Sequence, residues 1–533
     1  MKGVSVENGW RPCFLVLAVV IAGMAETRPF GPETWFVPDA LPQKVAVAGN
    51  PLDYAGARIG LDVRNVELPR GWEGGYRYAC RFPIIDYVSN RPLFMKQWAE
   101  DNSGLIVREH RRTGIGVLLS ALDILRGTTG NPELVGTPDK PLLDSFRHQL
   151  PKSHFSPGYR DVLLDLLEGY LTALDLVYQG RRNLTREDLI FFDRNPGYFL
   201  APDGKRMPEL TGNNSTQAEF IEYARKVKYE CILRGAEILV KSVARYVQAT
   251  RNYRAEGFFS DTTYSTTAFE FRLPNGMFRI TGQGDDTLDA DAVVQIDLGG
   301  ADVHRNNAGG CRSTVEGIAL SIDHAGNDLY AALDDNYVQG FGFLGIGLLV
   351  DLAGNDRYVA KHFAQGAGII GVGALWDSGG DDVYDGHAFV QGAGMFGLGM
   401  LLDDQGNDVY DCATLGQGGA TTLGLGLLSD LAGNDLYRLG KDTLKDALGQ
   451  LPGYGQGGAL SFRAYPWEGK LTAYGGVGML VDDQGDDVYD AGGWNDQGGS
   501  YIMSLGVLVD NHGSDHYTCG TGQGGGFTSP TRS

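Results

Sequence analysis

Aspartate is the residue type in this chain whose spacing most clearly points to chemistry. The phrase D-x-x-G-x-D-x-Y occurs seven times, ending at Tyr330, Tyr358, Tyr384, Tyr410, Tyr437, Tyr489 and Tyr517. It supplies one series of carboxylates at Asp323, Asp351, Asp377, Asp403, Asp430, Asp482 and Asp510. A second series stands at Asp328, Asp356, Asp382, Asp408, Asp435, Asp487 and Asp515. Carboxylates spaced this way around a turn serve in one of two ways. They cap the turn by accepting backbone N–H bonds, or they join carbonyl oxygens as hard ligands for a cation such as Ca2+. A weaker forerunner, Asp297-Leu-Gly-Gly-Ala-Asp302-Val-His304, precedes the seven.

A second group of reactive types lies between each repeat Tyr and the Gln-Gly pair that follows it. Consecutive units carry Asp334-Asp335-Asn336-Tyr337, then Lys361-His362, then Asp385 with His387, then Asp411 with Thr414. If the units stack in register, Lys361, His362, Asp385, His387 and Asp411 share one face and supply an acid and a base suited to glycan cleavage. Asp385 and Asp411 would then be neighbours about 5 Å apart, the spacing of a retaining carboxylate pair. The alternative is a solvated loop face whose residues vary because nothing constrains them. Tyr454, Phe462, Tyr465, Trp467 and Tyr474 are candidates for the wall of a sugar-binding groove. His110, His148 and His154 read as ordinary core or surface histidines. The chain has no nucleotide-binding loop, no G-x-S-x-G elbow and no H-E-x-x-H motif.

The repeat itself dictates the elements that must position these residues. Successive repeat tyrosines are separated by 28, 26, 26, 27, 52 and 28 residues. Each is followed by a Gln: Gln339, Gln365, Gln391, Gln417, Gln456, Gln497 and Gln523. Six units place Gly four residues before the first Asp (Gly347, Gly373, Gly399, Gly426, Gly478, Gly506) and Leu two before it (Leu349, Leu375, Leu401, Leu428, Leu480, Leu508). Such a unit is too short for two good helices but fits one coil of a parallel β-solenoid. The 52-residue step reads as one coil with insertions at 439–452 and 461–473. Stacking at about 4.8 Å sets like upon like. Leu becomes core, Gly lets opposite walls approach, Tyr stacks on Tyr, and Gln is expected to form an amide ladder. Stacking also crowds the carboxylates, and like charges so close disfavour joint ionisation.

The corner phrases Ala325–Tyr330, Ala353–Tyr358 and Ala432–Tyr437 (Ala-Gly-Asn-Asp-x-Tyr), with Gln405–Tyr410, resemble the RTX calcium-binding β-roll repeat, G-G-x-G-x-D-x-U-x. The resemblance covers only the corner of each coil and implies Ca2+ held between coils. RTX motifs run as tandem nonapeptides, whereas here the motif comes once per coil, so neighbouring coils rather than tandem motifs would have to share an ion.

The remainder of the 533 residues frames this repeat. Residues 1–25 have the basic start (Lys2, Arg11), apolar run (Phe14–Ala22) and small-x-small end of a signal peptide, pointing to a secreted or periplasmic protein. A mixed segment at 26–104 precedes a helical domain at 105–255, read from apolar periodicity in Thr113–Arg126, Tyr159–Tyr178 and Thr216–Tyr246. A transition with the first degenerate coil occupies 256–306, and the repeat domain 307–526. From Thr281 onward 34 acidic side chains face 10 basic ones, a surface that repels phosphate backbones and so excludes nucleic acid. No run approaches the roughly 20 apolar residues of a membrane span. Beyond the leader, Cys80, Cys231, Cys311, Cys412 and Cys519 make neither a disulfide framework nor a zinc set.

The expected architecture is α+β: a helical N-terminal domain, then a calcium-stabilised parallel β-solenoid of about eight coils. Two function classes fit it. One is a protein that binds, or binds and cleaves, an extracellular polysaccharide as a lyase or glycoside hydrolase. The other is a non-catalytic surface, adhesion or matrix protein whose solenoid is a calcium-dependent spacer.

Overall fold

The structure, a computed structural model, describes residues 95–118, 134–194, 220–266, 268–332, 336–440, 453–460, 475–494, 496–501, 504–521 and 526–527. The expected leader at 1–25, the insertion residues Phe462, Tyr465, Trp467 and Tyr474, and Asp334, Asp335, Cys80, Thr216 and Gln523 lie outside them.

Five helices of nine or more residues lead the described chain: α1 (Met95–Thr113), α2 (Lys140–Gln149), α3 (Pro157–Arg181), α4 (Arg186–Arg194) and α5 (Tyr229–Thr250). The start of α3 follows from its sequence. Ser156 accepts the Tyr159 N–H at 3.2 Å, and Pro157 takes the first helical position, where its missing N–H costs nothing. Its expected apolar face, Leu163, Leu166, Leu167, Tyr170, Leu171, Leu174 and Val177, is buried. Two boundaries differ from the periodicity. Helix α1 ends at Thr113, where the pattern begins, because Thr113 Oγ1 bonds back to the Glu109 carbonyl at 2.6 Å and Gly114 turns to a φ of +52°. The stretch from Thr216 is interrupted at 225–228 before α5 starts.

The remainder is a parallel β-solenoid of about seven turns. Its longest wall opens with an antiparallel hairpin, Phe269–Leu273 with Gly276–Ile280, then stacks six-residue strands such as Val372–Asp377, Leu398–Asp403 and Leu425–Asp430. A nine-stranded wall carries the tyrosines, and short two-residue strands form the third side. Register is strict: Tyr358, Tyr384, Tyr410, Tyr437, Tyr489 and Tyr517 are direct partners in succession. So are Asp351, Asp377, Asp403, Asp430, Asp482 and Asp510. The 52-residue step is a single coil, since Leu425–Asp430 pairs directly with Val477–Asp482. Leu439, expected to open the first insertion, still belongs to a strand and pairs with Cys412 and Ala491.

Inside the coils, Leu349, Leu375, Leu401, Leu428 and Leu480 pack against the tyrosines as one cluster. Full burial of each Leu contributes about 1.5–3 kcal/mol. The glycine series has a steric cause, because a Cβ on Gly373 would overlap the Ala367 carbonyl where the short third side enters the long wall. The other face of the long wall, including Ile346, Leu348 and Val350, is also buried and shares one apolar core with α1, α3 and α5. A parallel sheet needs both faces covered, and the helices lie on its side as the covering layer. Among the described residues, no helix is long and apolar enough to cross a membrane.

The Gln column behaves differently from an amide ladder. Gln391 Nε2 donates to the Tyr384 carbonyl at 2.9 Å and to the Asp411 carbonyl of the next coil at 3.2 Å. Gln417 repeats this with Tyr410 and Arg438, both at 2.9 Å. Backbone carbonyls at the end of the short Tyr strand are within reach, so they take the amide protons before another Gln can. Each of these glutamines sits at a positive φ, +51° at both Gln391 and Gln417. That region is unfavourable for a residue with a Cβ and is held by the surrounding stack.

Candidate cation-binding column and histidine face

Both aspartate series point into the buried corner between the long wall and the Tyr wall. Asp351, Asp377, Asp403 and Asp430 are fully buried, and Asp356, Asp382, Asp408 and Asp435 nearly so. Each carboxylate spends its oxygens differently. In the first series, Oδ1 accepts the N–H two residues on, as from Gly379 to Asp377 at 2.9 Å and from Ala432 to Asp430 at 3.0 Å. Their Oδ2 accepts the Tyr hydroxyl of the preceding coil: Tyr358 to Asp377, 2.6 Å; Tyr384 to Asp403, 2.7 Å; Tyr410 to Asp430, 2.6 Å. In the second series, Oδ1 accepts the N–H of its counterpart one coil back, at 2.6 Å for Asp356 to Asp382 and for Asp382 to Asp408.

Turn capping therefore accounts for one oxygen of each second-series Asp and leaves the other. Oδ2 of Asp302, Asp328, Asp356, Asp382, Asp408, Asp435 and Asp487 is buried with no hydrogen-bond partner among the described residues. Buried polar atoms are rarely left this way. Carboxylate oxygens of both series converge: Asp323, Asp328 and Asp351 offer ligand atoms within 4.8 Å of one another, and so do Asp351, Asp356 and Asp377, then Asp377, Asp382 and Asp403, then Asp403, Asp408 and Asp430. Each first-series Asp belongs to two successive groups. Desolvation first, and the neighbouring carboxylates second, push Asp382 up to about 9. Burial likewise carries Asp356 and Asp408 to about 8 and Asp435 to about 9. All-oxygen donor sets of this kind suit hard divalent ions.

The residues proposed for catalysis lie on the adjoining edge. Asp385 and Asp411 are direct register partners. Each also faces a guanidinium: Arg357 Nη2 lies 3.7 Å from Asp385 Oδ2, and Arg438 Nη1 donates to Asp411 Oδ2 at 3.1 Å. His362 and His387 meet edge to face with ring centroids 4.9 Å apart. Burial, then the neighbouring His387 and Lys361, lower His362 to about 4, so its ring is neutral at pH 7. Lys361 is exposed. Tyr454, expected to wall a groove, is instead buried within the apolar core, so it offers no surface to a sugar.

One constellation escaped the sequence reading. His110, at the end of α1, is buried with Nδ1 3.1 Å from Ser429 Oγ and Nε2 3.0 Å from Asp404 Oδ1. These are the residue types of a hydrolytic triad, but Ser429 is wholly buried, so the contact docks α1 onto the sheet. Ser429 was the available signal, a hydroxyl in register with Leu402 and Val481.

Compared with protein-family models, with curated proteins and with solved structures, the chain matches none of them. The likeness to RTX repeats therefore rests on the corner phrase alone.

The raised carboxylates fix a pH dependence. In the unfolded chain an Asp titrates near 3.8, whereas the cation-free fold holds protons on Asp356 and Asp408 to about 8. Their stabilising contribution is complete below about pH 4 and is lost as pH rises through their folded values. Thermal melts in chelator should fall between pH 5 and pH 9, and millimolar Ca2+ should abolish the fall. A melting temperature that climbs over that range in chelator would contradict the assignment.

Proposed function

We propose that this chain is an exported scaffold protein whose solenoid is held rigid by one divalent cation per coil, Ca2+ foremost, and which serves as a calcium-dependent spacer or adhesion surface. The observation that carries this reading is the file of buried Oδ2 atoms without hydrogen-bond partners among the described residues, running from Asp328 to Asp487. Charge balance supports it. Because each first-series Asp is shared between two groups, a coil contributes two carboxylates, which one divalent ion neutralises. The basic start and apolar run of residues 1–25 support export, to surroundings where weak Ca2+ modules operate.

The test is calorimetric unfolding of the full chain with Ca2+ and with chelator. At a hundredfold excess over Kd each ion adds about 2.7 kcal/mol. Several ions together should raise the melting temperature by on the order of 10 °C or more. A transition indifferent to Ca2+ would end the reading.

A second reading, an acid–base site acting on an extracellular polysaccharide, is favoured by one observation: a neutral His362 in ring contact with His387, with Asp385 and Asp411 paired in register on the strands of the same edge. It predicts turnover on a panel of polysaccharides that His387→Ala abolishes without changing the melting temperature. Inactivity on every polymer favours the scaffold.

A further inference from the structure

The first coil departs from the pattern at one position. Where the seven later coils carry Tyr, residue 304 is His. Its ring occupies the Tyr column, stacked on Tyr330 with centroids 4.4 Å apart and planes 15° apart. The side chain is fully buried, and neither ring nitrogen has a hydrogen-bond partner among the described residues. Nε2 lies 3.2 Å from Asp323 Oδ2. A phenol here would reach that oxygen with a hydroxyl, as Tyr358 and Tyr384 do one coil ahead; the imidazole brings a nitrogen lone pair instead.

Three carboxylates surround it. Asp297, Asp302, His304 and Asp323 each offer one ligand atom, all within 4.8 Å of one another and all from buried residues. Their other contacts fix the carboxylates without using up the site. Thr281 Oγ1 donates to Asp297 Oδ2 at 2.6 Å, and the Gly299 N–H to Asp297 Oδ1 at 3.2 Å. Asp302 Oδ1 accepts the Asp286 N–H, while Asp302 Oδ2 is buried without a hydrogen-bond partner. Asp323 Oδ1 accepts the Ala325 N–H at 3.2 Å. Asp323 Oδ2 has only a long bond of 3.3 Å from Tyr330, whose hydroxyl is engaged with Asp351 at 2.6 Å.

We propose that the first coil holds a separate metal site of zinc type, with His304 Nε2 and the carboxylates of Asp297, Asp302 and Asp323 as its four ligands. One imidazole among carboxylates is a borderline donor set that selects Zn2+ or Co2+ over Ca2+, unlike the all-oxygen groups of the later coils. Four protein ligands in a buried pocket leave no position open to substrate, so the ion is structural and closes the N-terminal end of the column. Thr281 supplies the outer-shell bond that orients Asp297. The site shares Asp323 with the all-oxygen group of the next coil and uses no ligand beyond it.

The test uses the full, untagged chain stripped with chelator and titrated with Co2+, read by its visible ligand-field absorption. The wild type should take up one Co2+ with the spectrum of a nitrogen-containing site, undisturbed by millimolar Ca2+. His304→Tyr installs the residue of the later coils and should keep the fold while losing that Co2+ spectrum. His304→Gln, which removes the imidazole lone pair without adding bulk, guards against misfolding and should weaken Co2+ at least about 100-fold. Equal Co2+ spectra in wild type and a folded His304 variant would overturn the site, as would a wild type that binds no Co2+. The second result would leave His304 and Asp323 as a metal-free imidazole–carboxylate pair.

Discussion

Ionised carboxylates repel one another most strongly where water cannot screen them, and this chain stacks two files of them in its interior. Strict register makes that unavoidable. Once Tyr pairs with Tyr and Leu with Leu, each Asp must lie over an Asp. The fold meets the repulsion in stages. Turn N–H groups and tyrosine hydroxyls occupy both oxygens of Asp377, Asp403 and Asp430, and an N–H from the preceding coil occupies one oxygen of each second-series Asp. The oxygen left over on each coil has to carry a proton or meet a cation. That remainder links sequence repetition to a functional reading.

The layer outside the solenoid follows from the same geometry. Strands such as Leu398–Asp403 are buried on both faces, so the coil alone could not be covered by its own lumen. Helices α3 and α5 supply the second cover, and polar contacts fix their placement: Tyr170 donates to the Ile318 carbonyl at 3.1 Å, and Tyr246 OH meets His324 Nε2 at 2.9 Å. At the far end of the layer, His110 and Arg111 of α1 reach Asp404 and Asp483. The helices thus cover the long wall from its early strands to its late ones.

Much of this was legible because each coil repeats the same statement. Leu375, Gly373, Tyr384 and Asp377 recur at fixed offsets, so their stacking could be read before any coordinates. The Gln column departs from a ladder for a local reason: a ladder argument counts side chains, whereas the Gln391 amide nitrogen donates to main-chain carbonyls. Tyr454 looked like part of an exposed insertion, yet it sits two residues before Gln456 and takes the same left-handed, buried position as Phe363 and Phe389. Helix α1 was missed because few of its residues are apolar; Trp98, Ile106 and Val107 alone give no clear period. The division of labour between the two oxygens of each Asp belongs to three dimensions, and spacing could not reveal it.

The most direct measurement is the number of calcium ions retained per chain after equilibrium dialysis near neutral pH, taken together with the protons released on binding. Filled corners predict one ion per coil, proton release that grows as the pH is lowered below the raised carboxylate values, and loss of both in chelator. A chain that retains no calcium, or a single ion with no proton release, would show that the aspartate files are neutralised by protons and turn bonds alone.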